Sequence, residues 1–209
     1  LQSIVNMATN NQVYLFMESG AVVGREGTSS IDASSGEIVF TVSVIDGSVT
    51  LDQDRAVKHD DPSDPEEEGS SAVMLAAPNL ITLSATLTDG DGDSVTETVN
   101  LGGALAFADD GPTTDNEASL KTVDDNVSAE NIGTTADLLD GDSYGADGPD
   151  ATTPIEIVGS GDLGGTVTID GSNNLLYTPT ADVVPPGADK VETFTYKITD
   201  ADGDTQTGT

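Results

Sequence analysis

The run Ile81-Thr82-Leu83-Ser84-Ala85-Thr86-Leu87 alternates apolar and polar residues and then meets Asp89-Gly90-Asp91-Gly92-Asp93. Period-two alternation places Ile81, Leu83, Ala85 and Leu87 on one face of a β-strand. Carboxylates at i, i+2 and i+4, separated by residues that let the backbone turn tightly, suit a hard cation of Ca²⁺ size. Without a cation, three negative charges this close repel one another and resist ordering. The pattern returns near the far end, where Phe194-Thr195-Tyr196-Lys197-Ile198 leads into Asp200-Ala201-Asp202-Gly203-Asp204. Asp89, Asp91, Asp93, Asp200, Asp202 and Asp204 are therefore the primary calcium candidates. Neither ladder is an EF-hand: the sixth positions are Ser94 and Thr205 instead of Gly, and Asn100 stands where the first would need its Glu. The glycine pattern of nonapeptide β-helix repeats is absent as well.

Outward from the ladders, period two dominates and no stretch carries a convincing helical stripe. Strands are expected at 13–17, 21–24, 38–45, 48–51, 81–87, 94–101 and 104–107, then at 155–158, 165–169, 175–178 and 193–199. Residues 205–209 read as a final strand that stops early, as in a piece of something longer. Asp46-Gly47 between two apolar runs predicts a hairpin of the primed-turn kind, and Asp170-Gly171-Ser172-Asn173-Asn174 marks another. Many short strands with Gly/Asp turns at regular spacing indicate β-sandwiches.

The boundary falls in Asp109-Asp110-Gly111-Pro112-Thr113-Thr114-Asp115-Asn116, because Pro112 cannot donate to a ladder and Gly111 frees the turn. The expectation is two tandem immunoglobulin-like β-sandwich domains, 1–111 and 117–209, joined by a linker at 112–116. Asp109 and Asp110 are expected to form a calcium clamp at that linker, with Asp115 or Glu117 as partners. Residues 55–71 and 140–154 fit neither core and read as surface loops. Asp140, Asp142 and Asp147, in the second loop, are candidates to reach the terminal ladder. His59, flanked by Lys58, Asp60 and Asp61, reads as solvated, with neither a catalytic nor a metal role.

Composition narrows the function classes. The 38 acidic residues against 6 basic ones leave a net charge of −32, which excludes nucleic acid as a partner and disfavours anionic membrane surfaces. Acidity with only 4% aromatics would suit disorder, but the periodic apolar runs oppose it. A fold that needs counter-ions is the economical resolution, with metal binding linked to folding. There is no cysteine, so no disulfide or thiolate site contributes, and no segment is apolar and long enough to span a bilayer. A single histidine and no nucleophile elbow leave no material for a triad. Close carboxylate pairs arise by chance among 38 acids, and the poverty of Trp and Tyr, none and four, argues against a sugar-stacking cleft. The chain reads as non-enzymatic.

From residue 21 to residue 112 the order of features resembles a repeat of giant RTX adhesins of Gram-negative bacteria, exported by type I secretion. The resemblance rests on Val22-Val23-Gly24-Arg25, Val39-Phe40-Thr41-Val42-Ser43-Val44 and Leu51-Asp52-Gln53-Asp54-Arg55-Ala56-Val57-Lys58-His59. Ala85-Thr86-Leu87-Thr88-Asp89-Gly90-Asp91-Gly92-Asp93 and Phe107-Ala108-Asp109-Asp110-Gly111-Pro112 complete it. Residues 1–20 depart from the pattern, being too short to supply every opening strand. From about residue 117 the chain is similar to the cadherin-like and VCBS-type domains of the same proteins. There the match lies in Asp137-Leu138-Leu139-Asp140, Gly165-Thr166-Val167-Thr168, Tyr177-Thr178-Pro179, Phe194-Thr195-Tyr196 and the terminal ladder.

The resemblance implies a calcium-stabilised extender or scaffold segment of a secreted adhesin, supporting cell adhesion and biofilm formation at the bacterial cell surface. Its partners would be neighbouring domains of the same adhesin and a cell-surface or glycan ligand, with the segment itself monomeric and not membrane-inserted. Calcium would stiffen the domains and their joint. The alternative is a module that itself binds a sugar, a peptide or ice, with residues 55–71 as the place for the ligand.

Overall fold

The computed structural model describes residues 4–59, 61, 63–115, 123, 128–180 and 190–209. The chain divides into two units, Leu1–Asp110 and Gly111–Thr209. Both are built from β-strands, as the alternation predicts.

In the first unit β1 (Gln12–Glu18), β2 (Ala21–Gly27), β3 (Ile38–Ile45) and β4 (Ser48–Gln53) form an antiparallel sheet in chain order. Asp46 and Gly47 close the β3–β4 hairpin with φ of 50° and 79°, the doubly left-handed backbone of a primed turn. A single helical turn, α1 (Ser30–Ala33), follows β2 and is capped by the Ser29 hydroxyl, which accepts from the Asp32 N–H at 3.3 Å. The unit continues with β5 (Val73–Met74), β6 (Thr82–Thr88), β7 (Ser94–Asn100) and β8 (Ala106–Phe107), paired as β5–β8 and β6–β7. Val13, Val39, Phe40, Val42, Val57, Ile81 and Phe107 form its core. The rings of Phe40 and Phe107 lie 4.9 Å apart, and Gly24 leaves room for Phe40, since a Cβ there would come within 2.5 Å of the ring.

The β6–β7 hairpin has a different setting. Register pairs Leu83 with Val99 and Leu87 with Val95 on one face, and Ser84 with Thr98 and Thr86 with Thr96 on the other. Leu87, Val95 and Val99 are more than half exposed. The opposite face carries cross-strand hydroxyl contacts, Thr86–Thr96 at 2.7 Å and Ser84–Thr98 at 3.0 Å.

In the second unit β9 (Glu130–Thr134), α2 (Thr135–Leu138), β10 (Ile155–Val158), β11 (Thr166–Ile169), β12 (Asn174–Thr178), β13 (Thr195–Thr199) and β14 (Thr205–Gly208) follow in order. They form two antiparallel sheets, β11–β12–β9 and β10–β13–β14. Leu138, Val167, Leu175, Tyr196 and Ile198 fill the core, with Tyr196 and Ile198 the inward residues of the alternating β13. A capping box starts α2: the Thr134 hydroxyl accepts from the Asp137 N–H, and the Asp137 carboxylate accepts from the Thr134 N–H at 2.8 Å. Thr113 and Ser143 exchange backbone hydrogen bonds, and the Thr114 hydroxyl donates to the Thr207 carbonyl at 2.9 Å. Three-residue stretch 113–115 of the expected linker is thereby tied into the second unit.

Candidate metal centre

Three hairpins close through one five-residue turn: 89–93 joins β6 to β7, 170–174 joins β11 to β12, and 200–204 joins β13 to β14. In each, the first residue donates its N–H to the carbonyl of the fifth, at 2.9 Å for Asp89 and 3.0 Å for Asp170 and Asp200. The Oδ1 of that first aspartate accepts backbone N–H groups from later in the turn. Asp89 accepts from Gly92 and Asp93 (3.1 and 2.9 Å), Asp170 from Ser172 and Asn174 (2.8 and 2.9 Å), and Asp200 from Gly203 and Asp204 (3.1 and 2.7 Å). The fourth residue is left-handed each time: Gly92, Asn173 and Gly203 have φ of 100°, 61° and 111°. The leading aspartate is thus a turn cap. Because 170–174 adopts the same turn with Ser172 and Asn174 at its third and fifth places, the turn does not require carboxylates there. What the two ladders add is charge.

The settings of the two ladders differ. Asp89, Asp91 and Asp93 are all exposed, although one carboxylate oxygen of each lies within 4.8 Å of the others. A hydrogen bond shared with the Asp91 carboxyl group, together with backbone N–H donors, holds the Asp89 carboxyl below its ordinary value. Asp200 and Asp204 are buried, at 0% and 2% exposure, with Asp202 half-buried, and their carboxylate oxygens also converge within 4.8 Å. The Asp200 Oδ2 is buried with no hydrogen-bond partner among the described residues. Burial, with the Asp202 carboxylate beside it, pushes the Asp200 carboxyl up to about 7 against the pull of the Asp204 and Gly203 N–H groups.

The 140–154 loop packs against the second ladder. Pro149 bridges Asp200, the Asp150 N–H donates to the Thr199 carbonyl at 3.0 Å, and the Thr199 N–H donates to the Pro154 carbonyl at 3.0 Å. Asp147 brings a carboxylate oxygen within 4.8 Å of one on Asp202. Asp142 has another role: its Oδ1 accepts the Asp115 N–H at 2.9 Å and its Oδ2 the Tyr196 hydroxyl at 2.7 Å, pinning the entry strand to the core tyrosine. Asp140 is exposed. Elsewhere in the second unit Glu192 is satisfied by the protein alone, accepting the N–H groups of Leu163 (3.2 Å) and Gly165 (2.6 Å) and the Tyr177 hydroxyl. Burial, then Glu192, pushes the Tyr177 hydroxyl up to about 12.

Of the linker candidates, Asp110 is exposed, and Asp109 turns its side chain inward. Its Oδ1 accepts the Asp110 N–H at 2.9 Å and lies 3.3 Å from His59 Nδ1, while its own N–H donates to the Glu67 carbonyl at 3.1 Å. Glu117, the other suggested partner, lies outside the described residues. His59 corrects the sequence reading: it is buried, with Nε2 3.1 Å from the Phe107 carbonyl. Its charged neighbours in sequence suggested solvent, but a carbonyl 48 positions away sets its place. Val57 and Glu67 are buried too, so the 55–71 segment is anchored in its unit at several points.

The second ladder offers only oxygen donors, the preference of Ca²⁺ and Mg²⁺. Two unit charges 4–5 Å apart repel by roughly 3–4 kcal/mol at an effective dielectric of about 20. A carboxylate trio with two buried members therefore needs a proton or a cation.

A family model described as a domain of unknown function (DUF5801) matches residues 2–102. A model described as a bacterial Ig domain matches residues 108–209. No curated protein and no solved structure matches the chain. The pair fits a bacterial surface protein of adhesin type, assembled from repeated domains, and points to a structural, surface-associated segment. Ig-like domains of this kind are typically non-catalytic. Among the described residues no helix is long and apolar enough to cross a membrane.

Proposed function

With a bacterial Ig domain matched over the second half of the chain, we propose that the segment is a calcium-stabilised structural extender of a secreted bacterial adhesin of the RTX type. It would be exported unfolded by type I secretion and would fold at the cell surface, where it would support adhesion and biofilm formation. The observation that carries this reading is the Asp200 Oδ2, a fully buried carboxylate oxygen without a hydrogen-bond donor, facing a cluster with Asp202 and Asp204. Ca²⁺ there would neutralise the trio and fix β13 to β14. Binding to the folded state alone stabilises it by RT ln(1 + [L]/Kd), on the order of 3 kcal/mol when calcium is about a hundredfold above Kd. The 89–93 ladder would be a weaker, open site, because solvent already screens its charges. A chain that folds only after leaving low cytosolic calcium also accounts for a net charge of −32.

Calcium titration of the whole chain tests this reading. Saturable binding that Mg²⁺ does not reproduce, lost in Asp202→Asn, is the expected result. Absence of calcium binding would remove the physical basis of the extender. Burial of Val57, His59 and Glu67 in the 55–71 segment offers no support for a ligand-binding loop there.

A further inference from the structure

We propose that the apolar face of the β6–β7 hairpin is a docking surface for a protein partner that presents apolar side chains around a lysine or arginine.

The hairpin is a ribbon of two seven-residue strands, and among the described residues no third strand pairs with it. β7 is exposed along its whole length, and of β6 only Leu83 is half-buried. Two strands alone are marginally stable in water, and a third strand or a covered face is what stabilises such a ribbon. The core holds this one at its root only: Ile81 is buried there, and the Leu101 N–H donates to the Ile81 carbonyl at 2.8 Å.

Three cross-strand rows make up the apolar face: Leu83–Val99, Ala85–Glu97 and Leu87–Val95. The rows stand about 7 Å apart along the strands and continue the side that Ile81 turns to the core. Leu87, Val95 and Val99 are 74%, 56% and 53% exposed. Apolar residues scattered singly over a surface are ordinary, but stacked on one face of an unpaired ribbon they form a continuous patch, the mark of an interaction site.

Charge selects the occupant. Residues 82–100 hold Asp89, Asp91, Asp93 and Glu97 and no Lys, Arg or His. Glu97 stands in the middle row, across from the small Ala85 and between the two apolar rows. Whatever covers those rows also takes Glu97 out of water, which is costly unless a cation meets it. A second copy of the chain supplies none. A twofold axis through the middle row sets Glu97 against Glu97, and the facing hairpin brings three more acids. The occupant is therefore a different protein surface, apolar on both sides of a Lys or Arg side chain that reaches Glu97.

The probe is a cyclised β-hairpin peptide with two valine rows flanking one lysine on a single face, compared with the same peptide carrying glutamate in the lysine's place. Fluorescence anisotropy of each labelled peptide with the full chain, in EDTA and at physiological ionic strength, reads the affinity. The lysine peptide should bind saturably, and the glutamate peptide at least about tenfold more weakly. Glu97→Lys should reverse that preference, and Leu87→Ser should weaken binding of the lysine peptide about tenfold. Both positions are exposed, so the first unit should melt as before in either variant. Sedimentation velocity of the chain alone should show a monomer. No saturable binding of the lysine peptide, a preference that Glu97→Lys leaves in place, or an affinity that Leu87→Ser leaves intact overturns the proposal. A wild-type dimer that Leu87→Ser dissociates overturns it too, by assigning the face to a second copy.

Discussion

The 89–93 and 200–204 turns share their backbone hydrogen bonds, their leading aspartate cap and their left-handed fourth residue, yet one stands in solvent and the other has its first and last aspartates buried. The strands leading to the first expose Leu87, Val95 and Val99. Those leading to the second bury Tyr196 and Ile198, and the 140–154 loop closes over it. A turn motif carries the carboxylates, but its surroundings decide what their charge costs. In water the repulsion is screened, whereas in the second unit it must be met by a proton or an ion. The 170–174 turn separates the two contributions, since it keeps the cap and lacks the additional acids.

The largest effect should come from breaking the 200–204 carboxylate trio. Asp202→Asn is expected to abolish calcium-dependent stabilisation of the second unit, on the order of 3 kcal/mol at saturating calcium. Differential scanning calorimetry with and without calcium measures this. Next, Asp170→Ala should destabilise the same unit by about 2 kcal/mol, through the loss of its hydrogen bonds to backbone N–H groups and Asn174. That loss should be equal in calcium and in EDTA; a calcium-dependent loss would undo the separation of cap from ligand.

Glu192 gives the contrast a pH arm, because protein donors satisfy it where Asp200 Oδ2 has none. The Tyr177 hydroxyl, pushed from an ordinary 10.0 up to about 12, contributes stability that is fully present below pH 10 and lost as pH rises through about 12. Alkaline melting followed by tyrosine absorbance should show this loss in calcium and EDTA alike, and Tyr177→Phe should flatten it. The smallest effect is reserved for the exposed ladder. Asp91→Asn should shift the first unit's stability by less than about 1 kcal/mol, as for other exposed charges. A larger calcium-dependent loss in thermal melting would show that exposure does not separate the ladders.

Alternation was enough to place most strands, because a half-buried strand must repeat every two residues. Residues 38–45 and 155–158 coincide with β3 and β10, and Asp46-Gly47 closes the hairpin its dipeptide requires. Val73–Met74 and Glu130–Thr134 escaped notice, the first too short for periodicity and the second interrupted by Gly133. The ladders were visible as local spacing, but burial was not, because it depends on which distant loop arrives. Asp142 shows the same limit: the sequence marks it as an acid near Asp140, while its partners Asp115 and Tyr196 lie 27 and 54 positions away. His59 was misjudged for that reason as well. Thr134 and Asp137 did carry a readable signal, an N-cap with an acid three residues on, which would have located α2.

Calorimetric melting of the full chain in millimolar Ca²⁺ and in EDTA, with Mg²⁺ as control, tests the central claim most directly. The account predicts a calcium-specific rise in the second unit's transition that disappears in Asp202→Asn and persists in Asp91→Asn. Identical melting in calcium and EDTA, or a rise that Asp202→Asn leaves intact, would contradict it.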